Sequence, residues 1–144
     1  MISILRKYTP LKIKHFFNSL YVNSITGFIL SKIFGNKLYV DGIKIDIDKT
    51  IINYLYYARI FLKKYERIEI NQIKNYLNEY IDTIELGCGI GITSSHILKK
   101  LDKKSRFFCF EANPQLYKSL KKNLSLNAKY DNYFYENKLI NYKN

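Results

Sequence analysis

The sequence predicts an α/β fold: part of a parallel sheet wound with helices, behind an N-terminal cap of helices and a β-hairpin. Three observations carry that reading. A short apolar run, Ile84-Glu85-Leu86, opens into glycines at 87, 89 and 91 and then into Thr93 and Ser94, residues that start helices. A second run, Phe107-Phe108-Cys109-Phe110, ends at Glu111, 20 positions after Gly91. Well before both, apolar and polar residues alternate on either side of Asp41-Gly42. The first two runs make a strand, turn, helix and second strand, and the third makes a hairpin.

In chain order, residues 11–34 place Ile13, Phe16, Phe17, Leu20, Ile25, Phe28, Ile29 and Ile33 at helical spacing, which predicts one or two amphipathic helices. The uncharged run 16–31 is 16 residues long and contains Asn18, Ser19, Asn23 and Ser24, too short and too polar to span a bilayer. Packing on the body is the first expectation for it, and lying on an inner membrane surface is the second. The hairpin over 37–48 leaves Asp46 and Asp48 on its solvent face, between Ile45 and Ile47. A helix over 50–64 follows, with Thr50 as its cap and Tyr54, Tyr56, Tyr57 and Phe61 read as core rather than as a stacking platform for bases, then a helix near 71–79.

After the glycines, Ile97, Leu98 and Leu101 share one helical face while Lys99, Lys100, Lys103 and Lys104 take the other, as a crossover helix requires. The run 107–110 is nearly unbroken in apolar residues, which fits a parallel strand covered on both faces. Asn113 then caps a helix that has Pro114 at its first position and Leu116, Leu120 and Leu124 as its buried stripe. A third strand begins at Tyr133-Phe134-Tyr135. Open sheets of this kind have about six strands, so the expectation is an N-terminal half, residues 65–144, behind a cap of residues 1–64, with the C-terminal half lacking.

Glycines at 87, 89 and 91 permit backbone dihedrals closed to other residues and let a ligand lie against bare main chain. The N-terminus of the next helix offers free N–H groups to an anion or carboxylate. Glu111 stands where a βαβ unit places the acid that accepts from both ribose hydroxyls. The spacing is not the dinucleotide G-x-G-x-x-G, because Ile92 occupies the place of its third glycine. An acid leading into G-x-G-x-G resembles instead the first motif of class I S-adenosylmethionine (SAM) methyltransferases, whose domain is Rossmann-like.

A narrower resemblance rests on three motifs: Glu85-Leu86-Gly87-Cys88-Gly89-Ile90-Gly91, then Glu111-Ala112-Asn113-Pro114, then Asn123 and Asn127 at the end of the following helix. Together, over about residues 65–135, they resemble the FkbM family of SAM-dependent methyltransferases. The resemblance implies SAM as cofactor, with Glu85, Gly87, Cys88, Gly89, Gly91, Glu111 and Ala112 around it, and O-methylation of a hydroxyl on a sugar, glycan or secondary metabolite. It also sets Tyr65 and Glu66 near the cofactor mouth, with a surface turn as the alternative. No catalytic base is assigned. His96 is read as a surface or helix-packing residue.

Net charge is +12, from 24 Lys and Arg against 12 Asp and Glu. The lysines are scattered and accompany a general excess of Asn, Ile and Tyr, so a nucleic-acid partner is not expected, and an RNA methyltransferase stands only as a third reading. The second is a non-catalytic remnant or half of a split enzyme. Cys88 and Cys109 lack the spacing and histidine partners of a metal site and read as small apolar residues in a reducing compartment. With no cleavable signal in the first ten residues, the expected location is cytoplasmic.

Overall fold

The computed structural model describes residues 21–139 of the chain; the predicted helical positions 11–20 lie outside them. The elements are α1 (Ser24–Phe34), β1 (Lys37–Val40), β2 (Ile43–Asp46), α2 (Tyr54–Phe61), α3 (Arg67–Tyr76), β3 (Thr83–Leu86), α4 (Ile92–Lys100), β4 (Phe107–Phe110), α5 (Pro114–Asn127) and β5 (Tyr133–Glu136). The fold is α/β with a three-stranded parallel sheet, a partial Rossmann-like arrangement in the order β3-β4-β5. Glu85 lies opposite Cys109, and Cys109 opposite Tyr135.

The two-residue period of a strand decides what this sheet buries. One face carries Glu85, Phe107, Cys109, Tyr133 and Tyr135, and both crossover helices cover it: Ile97 and Leu98 come from α4, Leu101 from the residue that ends it, and Leu120 and Leu124 from α5. Fully burying each such leucine or phenylalanine stabilises the fold by about 1.5–3 kcal/mol. The other face carries Ile84, Leu86, Phe108, Phe110 and Phe134. No helix among the described residues packs on it, and Ile84, Leu86 and Phe134 are 66%, 60% and 50% exposed. The expectation of a β4 covered on both faces therefore holds for one face. Among the described residues β3 is also a free edge: Thr83 and Gly87 donate to Arg106 and Phe110, so by the same period the N–H and C=O groups of Ile84 and Leu86 point away from β4.

The hairpin forms at Asp41-Gly42, where φ is +54° and +86°, the two left-handed positions of a type I′ turn. Its apolar face (Leu38, Val40, Ile43, Ile45) closes a second core with Ile47, Tyr57, Ile60, Ile70, Ile90 and Ile92. Helix α5 holds the outer edge of β2. The Asn127 side chain accepts from Lys44 N–H at 2.9 Å and donates to Lys44 C=O at 2.7 Å, and Asn123 Oδ1 accepts from Asp46 N–H at 2.7 Å. Four residues of helix rise about 6.0 Å and two residues of strand about 6.6 Å, so side chains at i and i+4 match alternate backbone groups of an extended edge. Asn123 also donates to Ile90 C=O at 2.8 Å, tying the glycine turn to the hairpin.

Several local expectations are corrected. Helix α2 is capped by Asn53, whose side chain accepts from Tyr56 N–H, while Thr50 turns back to Asp48. Within α2 only Tyr57 of the tyrosines is buried; Tyr54 and Tyr56 are exposed. Helix α3 begins at Arg67, four residues earlier than read, because Ile70 belongs to the core. Asp46 is not on a free solvent face: its carboxylate is largely covered and meets Lys122 at 2.8 Å. Lys100 also turns from water to the carbonyls of Ile73 and Lys74, where it caps α3.

Replacing Asn123 with Leu leaves the Asp46 N–H and the Ile90 C=O without these partners, and each unpaired buried group costs about 1–3 kcal/mol. Urea denaturation is expected to show a loss of about 2 kcal/mol or more. An unchanged midpoint would mean that the asparagine ties contribute nothing.

Candidate functional site

The site starts from the turn after β3. Gly87, Gly89 and Gly91 all have positive φ, +77°, +55° and +83°, but their surroundings differ. A Cβ at Gly87 would meet nothing within 4 Å, whereas one at Gly91 would sit 2.8 Å from Leu120 Cδ1. Gly87 thus leaves open space against bare backbone, and Gly91 lets the turn pack against α5. The turn is closed by Gly87 N–H and Cys88 N–H, both donating to Phe110 C=O, and by Gly91 N–H donating to Cys88 C=O.

Glu111 meets this turn directly. Gly89 N–H donates to its Oε2 at 2.7 Å, and Asn113 N–H donates to its Oε1 at 2.8 Å. The residue is 7% exposed. Each carboxylate oxygen keeps a lone pair beyond the one these bonds use, so the group can still accept from a ligand. Asn113 in turn caps α5, accepting from Gln115 N–H, with Pro114 at the first helical position. From the far side Asn137, just past β5, donates to the carbonyls of Glu111 and Ala112 at 2.7 and 3.1 Å. Sequence reading missed this clamp, and a lone asparagine after a strand gave no signal for it.

These groups surround a cleft of about 340 Å³ lined by Leu86, Gly87, Phe110, Glu111, Ala112, Lys138 and Leu139, within the usual range for small-molecule sites. It lies beyond the carboxyl ends of β3 and β4, the position where open α/β sheets take their ligands. Of the residues read from sequence as cofactor-binding, Gly87, Glu111 and Ala112 line the cleft, and Gly89 reaches it through Glu111. The Cys88 side chain points away into the core beside Cys109. Hydrogen bonding to Cys109 and burial hold its thiol well above the usual range.

Glu85 faces the covered side of the sheet, as strand parity requires, and lies beneath α4, where Ser94 Oγ donates to its Oε2 at 2.6 Å. Burial raises its pKa to about 7, with Glu66 adding to the effect and Ser94 opposing it. Thr93 donates to Glu66 at 2.5 Å. The two hydroxyls expected to cap α4 are thus recruited by carboxylates, and the helix begins one residue after Gly91 with no side-chain cap. Tyr65 lies beside Gly89, its hydroxyl 3.9 Å from where a Cβ would stand. Burial and then the neighbouring Glu66 push that phenol well above its usual range. Tyr65 therefore stands beside the glycine turn and Glu66 at the start of α4, and neither lines the cleft described above.

His96 is 5% exposed and stands 4.0 Å from Asp41. Burial, with Lys74 next, lowers its pKa to about 4, so it is neutral helix packing at pH 7. It borders a void of about 20 Å³ among Val40, Ile43, Ile60 and Ile92, room for about one water. Among the described residues, no group of three or more His, Cys, Asp or Glu is placed to hold a metal.

No protein-family model and no curated protein matches the chain. Among solved structures it is similar to PH0793 of Pyrococcus horikoshii, provisionally described as a transferase, with 16% identity and a TM-score of 0.52. The match covers 83% of this chain and 48% of that one. The likeness is one of fold, and this chain spans about half the length of that structure.

Two predictions follow from this geometry. Gly91→Ala meets both the left-handed backbone and Leu120, and is expected to destabilise by about 1–3 kcal/mol; Gly87→Ala meets strain alone, and by chemical denaturation should cost less. Glu85 sets a pH dependence. Its folded pKa, about 7, lies above the usual 4.5, so between those values the unfolded chain ionises while the folded one stays protonated. Stability therefore falls as pH rises from about 4.5 to 7 and levels off above. Glu85→Gln should flatten that part of the curve in thermal melts at a series of pH values, and an unchanged slope would contradict the assignment.

Proposed function

We propose that the chain is the cofactor-binding half of a SAM-dependent methyltransferase of the FkbM type its motifs resemble. Its acceptor would be a hydroxyl on a sugar, a glycan or a small metabolite. The observation that carries this reading is the meeting of Glu111 with the glycine turn, on neighbouring parallel strands, at one cleft beyond their carboxyl ends. The transferase description of the similar fold agrees at a coarser level.

The residues fit such a cofactor. Glu111 would use its remaining lone pairs on the ribose hydroxyls, while Gly87 would let the chain between ribose and sulfur lie on bare backbone. The N–H groups at the start of α4, which take no side-chain cap from Gly91, would face the carboxylate end. Phe110 and Leu139 would supply apolar contact, and Ala112 would leave room beside the ribose acid. SAM, once bound, supplies a methyl group on a sulfonium that needs no further activation, so the work left to the protein is holding the acceptor in line.

A second reading, half of a split protein or a remnant, is favoured by the free edge of β3 and the bare face beside it. Against the RNA reading, four of the lysines, Lys49, Lys99, Lys100 and Lys129, each donate to a backbone carbonyl within the fold.

Calorimetric titration of the wild-type chain with SAM, with NAD as control, tests the proposal. SAM is expected to bind and NAD not to, and Glu111→Gln is expected to weaken SAM by about tenfold or more, the scale of one charged hydrogen bond. Absence of SAM binding by a folded chain, or undiminished binding by the variant, would reject the assignment.

A further inference from the structure

Helix α1 is held with a fixed face outward. Asn23 caps it by accepting from Thr26 N–H at 2.9 Å. Gly27 is pressed so close to α2 that a Cβ there would overlap Tyr54 C=O. Ser31 is 2% exposed, and its carbonyl accepts from Lys49. At 100° per residue, anchoring Gly27 and Ser31 inward turns Ile25, Phe28, Ile29, Lys32 and Ile33 outward. The structure has them so: Ile25, Ile29 and Ile33 are 73%, 51% and 68% exposed, and Phe28 is 44% exposed beneath the Lys32 ammonium. Three isoleucines at i, i+4 and i+8 on a docked helix form a continuous apolar stripe.

The N-terminal sequence that carries the stripe has charge of one sign. The first 40 residues contain Arg6, Lys7, Lys12, Lys14, Lys32 and Lys37 and no acid, the first being Asp41. No helix among the described residues is long and apolar enough to cross a membrane.

We propose that this face of α1 seats the protein on an anionic lipid surface, the isoleucines entering the boundary between headgroups and acyl chains and the basic residues facing the lipid charge. An apolar helix face within a basic stretch of sequence is the pattern that binds at such an interface. A second copy is the poorer occupant, because each brings +12 and docking the same face on itself joins like charges. The inference is independent of the proposed cofactor: the stripe and the cleft share no residue.

The chain has no tryptophan, so Ile29→Trp places a single reporter in the stripe. Its emission should shift to the blue with vesicles of phosphatidylcholine mixed with phosphatidylglycerol, and not with phosphatidylcholine alone. In co-sedimentation, the wild type should bind the anionic vesicles and release them as salt is raised. The triple variant Ile25→Ser, Ile29→Ser, Ile33→Ser should bind at least about tenfold less with its circular dichroism unchanged, while Lys118→Gln, Lys121→Gln, Lys122→Gln on α5 should keep most of the binding. No sedimentation of the wild type, equal binding by the serine variant, or no shift of the tryptophan would overturn the proposal. So would a dimer in light scattering that the serine variant abolishes, since a second copy would then cover the stripe.

Discussion

The acceptance of Gly89 N–H by the Glu111 carboxylate is the contact on which the arrangement of this chain turns. A turn of three glycines has little preference of its own, since such residues lose more conformational entropy on ordering than any others. Something outside it must choose one conformation. Here a buried carboxylate does so, and by accepting from Asn113 as well it fixes the start of α5 in the same act. Helix α5 then passes the order on: Leu120 packs on Gly91, and Asn123 and Asn127 hold the hairpin edge. One acid thus links glycine turn, crossover helix and cap. The same acid forms a wall of the cleft, so the group that orders the turn is also the one best placed to read a ligand lying on it.

The sheet shows how a two-residue period converts sequence into asymmetry. Glu85 and Cys109 share the face that α4 and α5 cover, and Ile84, Phe108 and Phe134 share the one left bare. Parallel sheets are ordinarily covered on both sides, and an apolar face beside an open edge is a surface that proteins normally protect. Phe108 and Phe134 stack on one another at 5.0 Å between centroids, which reduces the exposed area without removing it. The similar fold from Pyrococcus horikoshii is matched over 48% of its length.

What the sequence made legible was local or strictly periodic. The hairpin at Asp41-Gly42, the Asn113-Pro114 start of α5 and the separation of Gly91 from Glu111 each rest on short-range backbone chemistry, and each stands in the structure. What it hid depended on partners distant in sequence. Thr93 and Ser94 are good caps, yet Glu66 and Glu85 take their hydroxyls, so α4 starts from Gly91 instead. Asp46 alternates like a surface residue, but Lys122 lies 76 positions later and covers it. Asn137 holds two carbonyls of the acid's turn without any pattern to mark it. Asn123 and Asn127 were visible as a motif, but their work, pairing with a strand edge in place of another strand, emerges only when helix and hairpin are set side by side.

Amide NMR spectra of the labelled chain titrated with S-adenosylhomocysteine test the convergence of Glu111 and the glycine turn on one nucleoside most directly. The account predicts that the Gly87, Gly89, Ala112 and Asn113 resonances move together, with one saturating dependence, while those of the hairpin stay in place. Shifts confined to other parts of the fold, or glycine-turn amides that remain still at saturation, would contradict it.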